Sequence, residues 1–355
     1  MLSSFLSGVG SVFYLKYPLV YWPIDGAVEI CWLLLHLLKV YVFLSGLFLN
    51  HSVCLLLVFF LAIGNAFVSG TEESLIYDNL KSKNREDQFS RIYGRSRFFA
   101  NIGNLTGIVI SGVLVTFISF AEISLLSACI CLINALLASK LEEKNYYANQ
   151  LNDSTIAIHR TFKDAAQLFR DNSLSLLTVL FLILFSNLVS YLDEFDALII
   201  RDSKVDYYWV SVLLTVRFIF VALGDLLAPK VDKKCRSIRW IFILYGFAGA
   251  FLAVFTFLWH TYAVVTFGAS MMIMSISEVL LIKSLQETIT DEGRATVMSF
   301  YGLGQNVVMI LFSLIYGLLA KIISIQTIYC LISGYALFGA LVFFFIFSRK
   351  RIIDD

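Results

Sequence analysis

Charge is what this sequence has least of. Lys, Arg, Asp and Glu make up 15% of its 355 residues, against about 25% in a soluble domain. The basic residues lie in short loops and form no separate basic region, so there is no footprint for a nucleic-acid partner. No His/Ser/Asp set, metal-ligand cluster or phosphate loop falls in a workable arrangement. No catalytic residue, cofactor or metal is therefore expected. Of the six cysteines, Cys31, Cys54, Cys129, Cys131 and Cys330 sit in apolar runs and Cys235 in a basic loop. Cys129 and Cys131 are two apart and so point from different helix faces, which reads as small core residues. No basic residue precedes Lys16 and no small-residue cleavage site follows it, so no cleavable leader is expected.

What the chain has instead is apolar length. Hydrophobic residues make up 59% of it, and the mean hydropathy is +0.81. A span needs about 20 apolar residues to cross about 30 Å of hydrocarbon. Lipid cannot satisfy backbone polar groups, and these runs are continuous, not alternating, so they read as helices. The expected fold is an all-α membrane protein of about 11 transmembrane helices. Spans are expected near 5–22, 27–49, 53–70, 97–119, 121–139, 173–193, 207–228, 239–259, 261–282, 296–319 and 323–347. The helix of the ninth is expected to run on to about Thr288.

Loop charge orients the bundle. Loops at 71–97, 140–172 and 229–239, with Lys283, Arg294 and the tail Arg349-Lys350-Arg351, hold 21 of the 27 basic residues. The other side keeps Arg201, Lys204 and Lys321. This places the C-terminus in the cytoplasm of a multi-pass protein of the cell membrane.

The chain also repeats. Gly94-Arg95-Ser96 with Gly103 recurs as Gly293-Arg294-Ala295 with Gly302, a constant offset of 199 residues at the same place in the span order. Two tandem, pseudo-symmetric helical bundles are expected: 1–139, 140–172 as a cytoplasmic linker, and 173–355. The first bundle, with about five helices against six, is shorter than the second by about one span with its loop.

The run Gly64-Asn65-Ala66-Phe67-Val68-Ser69-Gly70-Thr71-Glu72-Glu73-Ser74-Leu75-Ile76-Tyr77-Asp78, then Arg85-Glu86-Asp87 and Tyr93-Gly94-Arg95, resembles the connection between the fourth and fifth helices of bacterial major facilitator superfamily permeases. Tyr191-Leu192-Asp193-Glu194-Phe195 resembles the end of their seventh helix. Gly224 to Lys230, with Lys233-Lys234, resembles the basic loop after the eighth, and Arg294-Ala295-Thr296-Val297 the start of the eleventh. The resemblance covers about residues 53–347. It departs at the front: Gly26-Ala27-Val28-Glu29-Ile30 approaches the family's loop between helices two and three, but Cys31-Trp32-Leu33-Leu34-Leu35-His36 follows in its place. The family's first helix and that loop motif are expected to be missing.

The resemblance implies alternating access around a cavity lined by the first, second, fourth and fifth helices of each half. Polar residues on those helices are the candidate substrate or coupling groups: Asn104, Asn187, Tyr191, Glu194, Arg217, Glu278, Gln305 and Asn306. Arg217 lies ten residues into its span, where Arg costs about 2.5–3.5 kcal/mol on insertion scales. It reads as an anchor for an anionic group or as half of a structural ion pair, with Glu278 as the expected partner. Glu278 also reads as a proton-carrying carboxylate or as a gate carboxylate. Gly302 and Gly304 permit either close packing or a bend. Glu72, Glu73, Asp78, Arg95 and Arg294 are expected at a cytoplasmic gate, paired when that side is closed.

The expected activity is secondary transport of a small molecule by a monomer in a lipid bilayer, in the form of proton-coupled export. Nutrient uptake and a truncated, transport-incompetent membrane protein are the open alternatives. Enzymatic function is not expected.

Overall fold

The computed structural model describes residues 71–133 with interruptions, 173–195, 207–289 and 294–354, apart from a few positions inside these stretches. The spans expected at 5–22, 27–49 and 53–70, most of 121–139 and the linker at 140–172 lie outside the described residues, as do Asn187 and Glu194 and the side chains of Glu72, Asp78 and Arg294.

The described residues form α1 (Thr71–Lys81), a short 3-10 turn (Glu86–Gln88), α2 (Phe89–Leu114), α3 (Ser173–Phe181), a π turn (Leu182–Ser186), α4 (Leu188–Asp193), α5 (Tyr207–Asp232), α6 (Ile238–Leu258), α7 (Val264–Thr288), α8 (Arg294–Leu319) and α9 (Ile325–Asp354). No strand occurs among them. Five stretches are long and apolar enough to span a bilayer: Leu174–Leu192, Ile238–Leu258, Val264–Thr288, Phe300–Leu319 and Ile325–Arg349. Their outer faces carry Phe247, Phe257, Leu314, Phe338 and Leu341, each more than half exposed. An apolar surface of that extent suits hydrocarbon, not water.

Two helix ends have a visible local cause. Asn84 adopts φ 52° in the turn between α1 and α2, and Trp259 adopts φ 34° after α6, both in the left-handed region that stops a helix. The Trp259 N–H still donates to the Phe255 carbonyl. The ninth expected span runs to Thr288, as its pattern suggested.

The core of the second bundle is aromatic. Phe181 packs edge-on against Phe242, Tyr245 and Phe343, with ring centroids 4.8–5.1 Å apart, the geometry the ring quadrupole favours. The expected span at 173–193 is not one regular α-helix. A π turn leaves some carbonyls without their usual i+4 partner, and in a low-dielectric core each needs another donor. Three tyrosines supply them. Tyr191 donates to the Ile183 carbonyl at 3.0 Å, Tyr335 to that of Leu184 at 2.9 Å, and Tyr245 to that of Phe185. The wider turn also pushes Ile183 against Gly304 on α8 and Phe185 against Gly339 on α9, where no Cβ would fit. Gly304 therefore serves close packing, and α8 runs unbroken through it.

Two further glycines set how closely α2, α5 and α7 approach. Pro229 lies inside α5. A proline has no N–H, so the carbonyl four residues earlier, that of Asp225, loses its helical donor. Gly94 of α2 packs directly on that carbonyl, and a Cβ there would collide with it. Gly224, the residue just before Asp225, meets the Met272 carbonyl of α7, only 2.5 Å from where its Cβ would stand. Asp225 thus sits where α2 meets α5 and α7.

Candidate functional site

That junction holds an ion cluster. Arg97 of α2 donates from both terminal nitrogens to Glu278 of α7, Nη1 to Oε1 at 2.6 Å and Nη2 to Oε2 at 2.8 Å. Its Nε donates to Asp225 Oδ1 of α5 at 3.2 Å. The planar guanidinium fork suits this two-point grip, which an ammonium cannot reproduce. Asn101, one turn along α2, donates to Asp225 Oδ2 at 2.7 Å, and Ser275 of α7 donates to Oδ1. The Asp225 side chain is fully buried and that of Glu278 4% exposed, while Arg97 keeps 21%. Charges this deep persist only when paired and hydrogen-bonded.

Two groups extend the cluster towards the near end of the helices. The Arg97 guanidinium lies 5.8 Å from the centre of the Tyr93 ring, and Tyr93 donates to Glu73 Oε1 of α1 at 3.1 Å. Tyr93 also stacks on Phe89, which meets Tyr77 edge-on, so α1 and α2 share an aromatic seam. Two turns further out, Ser90 Oγ donates to Asp232 Oδ2 at 2.6 Å, and Lys283 Nζ reaches the same oxygen at 2.8 Å. The same three helices are tied twice, once at depth and once near their ends.

Several expected residues meet here and others do not. Glu73 and Glu278 belong to the cluster. Glu278 is engaged by Arg97, where Arg217 was the expected partner. Arg217 is 2% exposed, sits over the Phe218 ring at 5.1 Å, and donates from Nη2 to the Val189 carbonyl of α4 at 2.6 Å. It points into protein, not lipid. Tyr191 and Gln305 come together: the Tyr191 hydroxyl lies 3.4 Å from the Gln305 carbonyl, and Gln305 Nε2 donates to the Tyr301 hydroxyl at 2.9 Å. Asn306 is exposed on α8 and bonds back to the Gly302 carbonyl of its own helix. Asn104 is half-buried on α2, and Arg95 is half-buried near the start of that helix.

Sequence reasoning missed Asp225, and it expected Arg97 to pair with Glu72, Glu73 and Asp78 at the gate, not with Asp225 and Glu278. Arg97 stood at the edge of a span and was counted with the loop charges. Asp225 stood in a segment taken as a loop approach. The signal that could have found both was a carboxylate and a guanidinium each placed just inside a helix, beside glycines that bring those helices together.

Long apolar helices joined by buried charges mark a polytopic membrane protein. Residues 30–286 match the family model of the Major Facilitator Superfamily, and the chain belongs to that superfamily, whose members move small molecules across membranes. Its fold is similar to that of the E. coli fucose:proton symporter FucP, at 14% identity and TM-score 0.63, covering 97% of this chain and 88% of that one. It is equally similar to a single-residue mutant of the nucleoside transporter NupG, at 14% identity and TM-score 0.63, covering 96% and 90%. A bacterial homologue of the iron transporter ferroportin, in an outward-facing state, matches at 13% identity and TM-score 0.58, covering 98% and 87%. No curated protein matches the chain.

Proposed function

We propose that this protein is a secondary active transporter of a small molecule across the cell membrane, working by alternating access, with the Arg97–Asp225–Glu278 cluster as the gate of its cytoplasmic side. The reading takes residues 1–139 and 173–355 as the two moving bundles, 140–172 as their cytoplasmic linker, and the C-terminus as cytoplasmic. The observation that carries it is the bidentate bond from Arg97 to Glu278, with its third contact to Asp225. In this reading that contact joins the two bundles and holds them in one state.

Alternating access needs a contact that can be made in one state and lost in the other. A buried ion pair fits, because removing one partner costs about 3–5 kcal/mol. Water entering on opening would replace those bonds by hydration and lower that cost. The basic loops of 71–97 and 229–239 lie at the same helix ends as the cluster, which supports a cytoplasmic position. The state described here would then be closed towards the cytoplasm. Arg217, Tyr191 and Gln305 lie on the bundle's lining helices away from that gate, and the proposal assigns them to substrate recognition. Proton-driven export is the finer form of the proposal.

The test is flux. Purified protein in proteoliposomes, offered a panel of sugars, nucleosides and metal ions with and without a proton gradient, is expected to move one of these classes. Arg217→Ala should abolish that movement without unfolding the protein. Equal flux in empty liposomes for every class offered would refute transport of those classes. Undiminished flux in Arg217→Ala would remove Arg217 from the site.

A further inference from the structure

Three carboxylates surround one cation in the cluster. Arg97 spends its two terminal nitrogens on Glu278 and its Nε on Asp225. Those two carboxylates already exceed its charge by one. Glu73 is the third, facing Arg97 from across the Tyr93 ring. Its Oε1 accepts one hydrogen bond, from Tyr93, and its Oε2 is shielded from solvent with no hydrogen-bond partner. An ionised Glu73 would raise the surplus to two negative charges around one guanidinium, with one carboxylate oxygen buried and unsolvated. Such a group neutralises instead.

We propose that Glu73 is a proton site of this transporter, holding a proton while the Arg97–Asp225–Glu278 gate is closed and releasing it when the gate opens. The proposal rests on the reading of that cluster as a gate. The partition of residues gives the release its direction. Glu73, Tyr93 and Arg97 all belong to the first bundle, on α1 and α2; Asp225 and Glu278 belong to the second. Separation of the bundles strips Arg97 of both partners. Among the described side chains, the carboxyl left beside it on α1 and α2 is Glu73, bonded to Tyr93, which lies one helical turn from Arg97. Glu73 then ionises against Arg97, its proton passing to cytoplasmic water, while water reaches Asp225 and Glu278.

The groups that face Glu73 give one sign. Tyr93 and Arg97 come from α2 and Glu278 from α7; Asp225 of α5 stands behind Arg97, and Tyr301 of α8 approaches Tyr93. Burial holds the Glu73 carboxyl above the usual range, and its own backbone N–H, the Tyr93 bond and Arg97 offset only part of that, while Glu278 adds to it. An acid whose affinity for protons is higher in the closed state favours that state as pH falls. The preference is lost as pH rises through its closed-state value. Cytoplasmic alkalinity thus opens the gate and acidity closes it.

Two measurements on the full chain test this. Spin labels at Asp87→Cys and Lys233→Cys, with the six native cysteines replaced, report the separation of α2 and α5 at the gate end by pulsed electron resonance. Both positions are exposed. The short-distance population is expected to fall as pH rises, and Glu73→Gln is expected to hold it at its acid plateau at every pH. Infrared spectra of the closed protein should show a protonated-carboxyl band that Glu73→Gln removes. A pH dependence unchanged in Glu73→Gln, no pH dependence in the parent, or a spectrum without that band would overturn the proton site. Arg97→Ala separates the two ideas. If it lengthens the distance while pH does nothing, only the proton site fails. If it leaves the distance unaltered, the gate fails too.

Discussion

Arg97 carries more of this account than any other side chain, because it is the only cation among the described residues within bonding distance of both Asp225 and Glu278. Its replacement by Lys keeps the charge and loses the fork. An ammonium can serve one carboxylate well but cannot span both oxygens of Glu278 while also bonding Asp225. Arg97→Lys is therefore expected to weaken gate closure partially and Arg97→Ala severely, in that order, by thermal unfolding in detergent. Equal effects would show that charge alone matters. Glu278→Gln leaves Arg97 with Asp225 and removes one buried charge, so it should cost less than Arg97→Ala, which strands two carboxylates. At this scale the sequence was readable in part. Glu278 stood out as a carboxylate inside an apolar run, and so did Arg217. Their pairing did not follow, because spacing along a chain says nothing about which helices touch. Arg97 is 128 residues from Asp225 and 181 from Glu278.

Elements place those residues through backbone approach. Gly94 rests on the carbonyl that Pro229 releases, and Gly224 on that of Met272. Gly94→Ala is expected to push α2 away from α5 and lengthen the Arg97–Asp225 contact, since the group it meets is backbone and cannot rotate aside. A loss of about 1–3 kcal/mol in unfolding free energy is the expected size for overpacking. An unchanged melting temperature would argue that α2 packs elsewhere. The π turn makes a separate prediction. Tyr245→Phe deletes the donor to the Phe185 carbonyl in a fully buried place. Leaving a buried acceptor unsatisfied costs about 1–3 kcal/mol, so the melting temperature should drop although only one oxygen is lost. Helix positions in the second bundle were legible from apolar length, since that is what lipid selects. The break at Leu182–Ser186 was not. The groups that meet it are tyrosines on α4, α6 and α9 and notches at Gly304 and Gly339, and all but Tyr191 lie outside the run from Leu174 to Leu192.

At the scale of the whole molecule, the 199-residue repeat, the apolar helices and the family match over residues 30–286 agree on two bundles of one superfamily. Of the polar residues expected to line a cavity, Arg217, Tyr191 and Gln305 bond among α3 to α8. Glu278, with the unexpected Asp225, bonds instead to Arg97 of α2. Alternating access requires this division, because a contact inside a bundle moves with it while a contact between bundles must break. The most direct test is therefore the separation between spin labels at Asp87→Cys and Lys233→Cys in lipid, with Arg97 intact and with Arg97→Ala. About 5.5 kcal/mol carries a two-state equilibrium from 1:99 to 99:1, so stranding buried carboxylates in the closed state, at a cost of about 3–5 kcal/mol, should convert a predominantly short distance into a mixed or predominantly long one. An identical short distance in both proteins would contradict the gate.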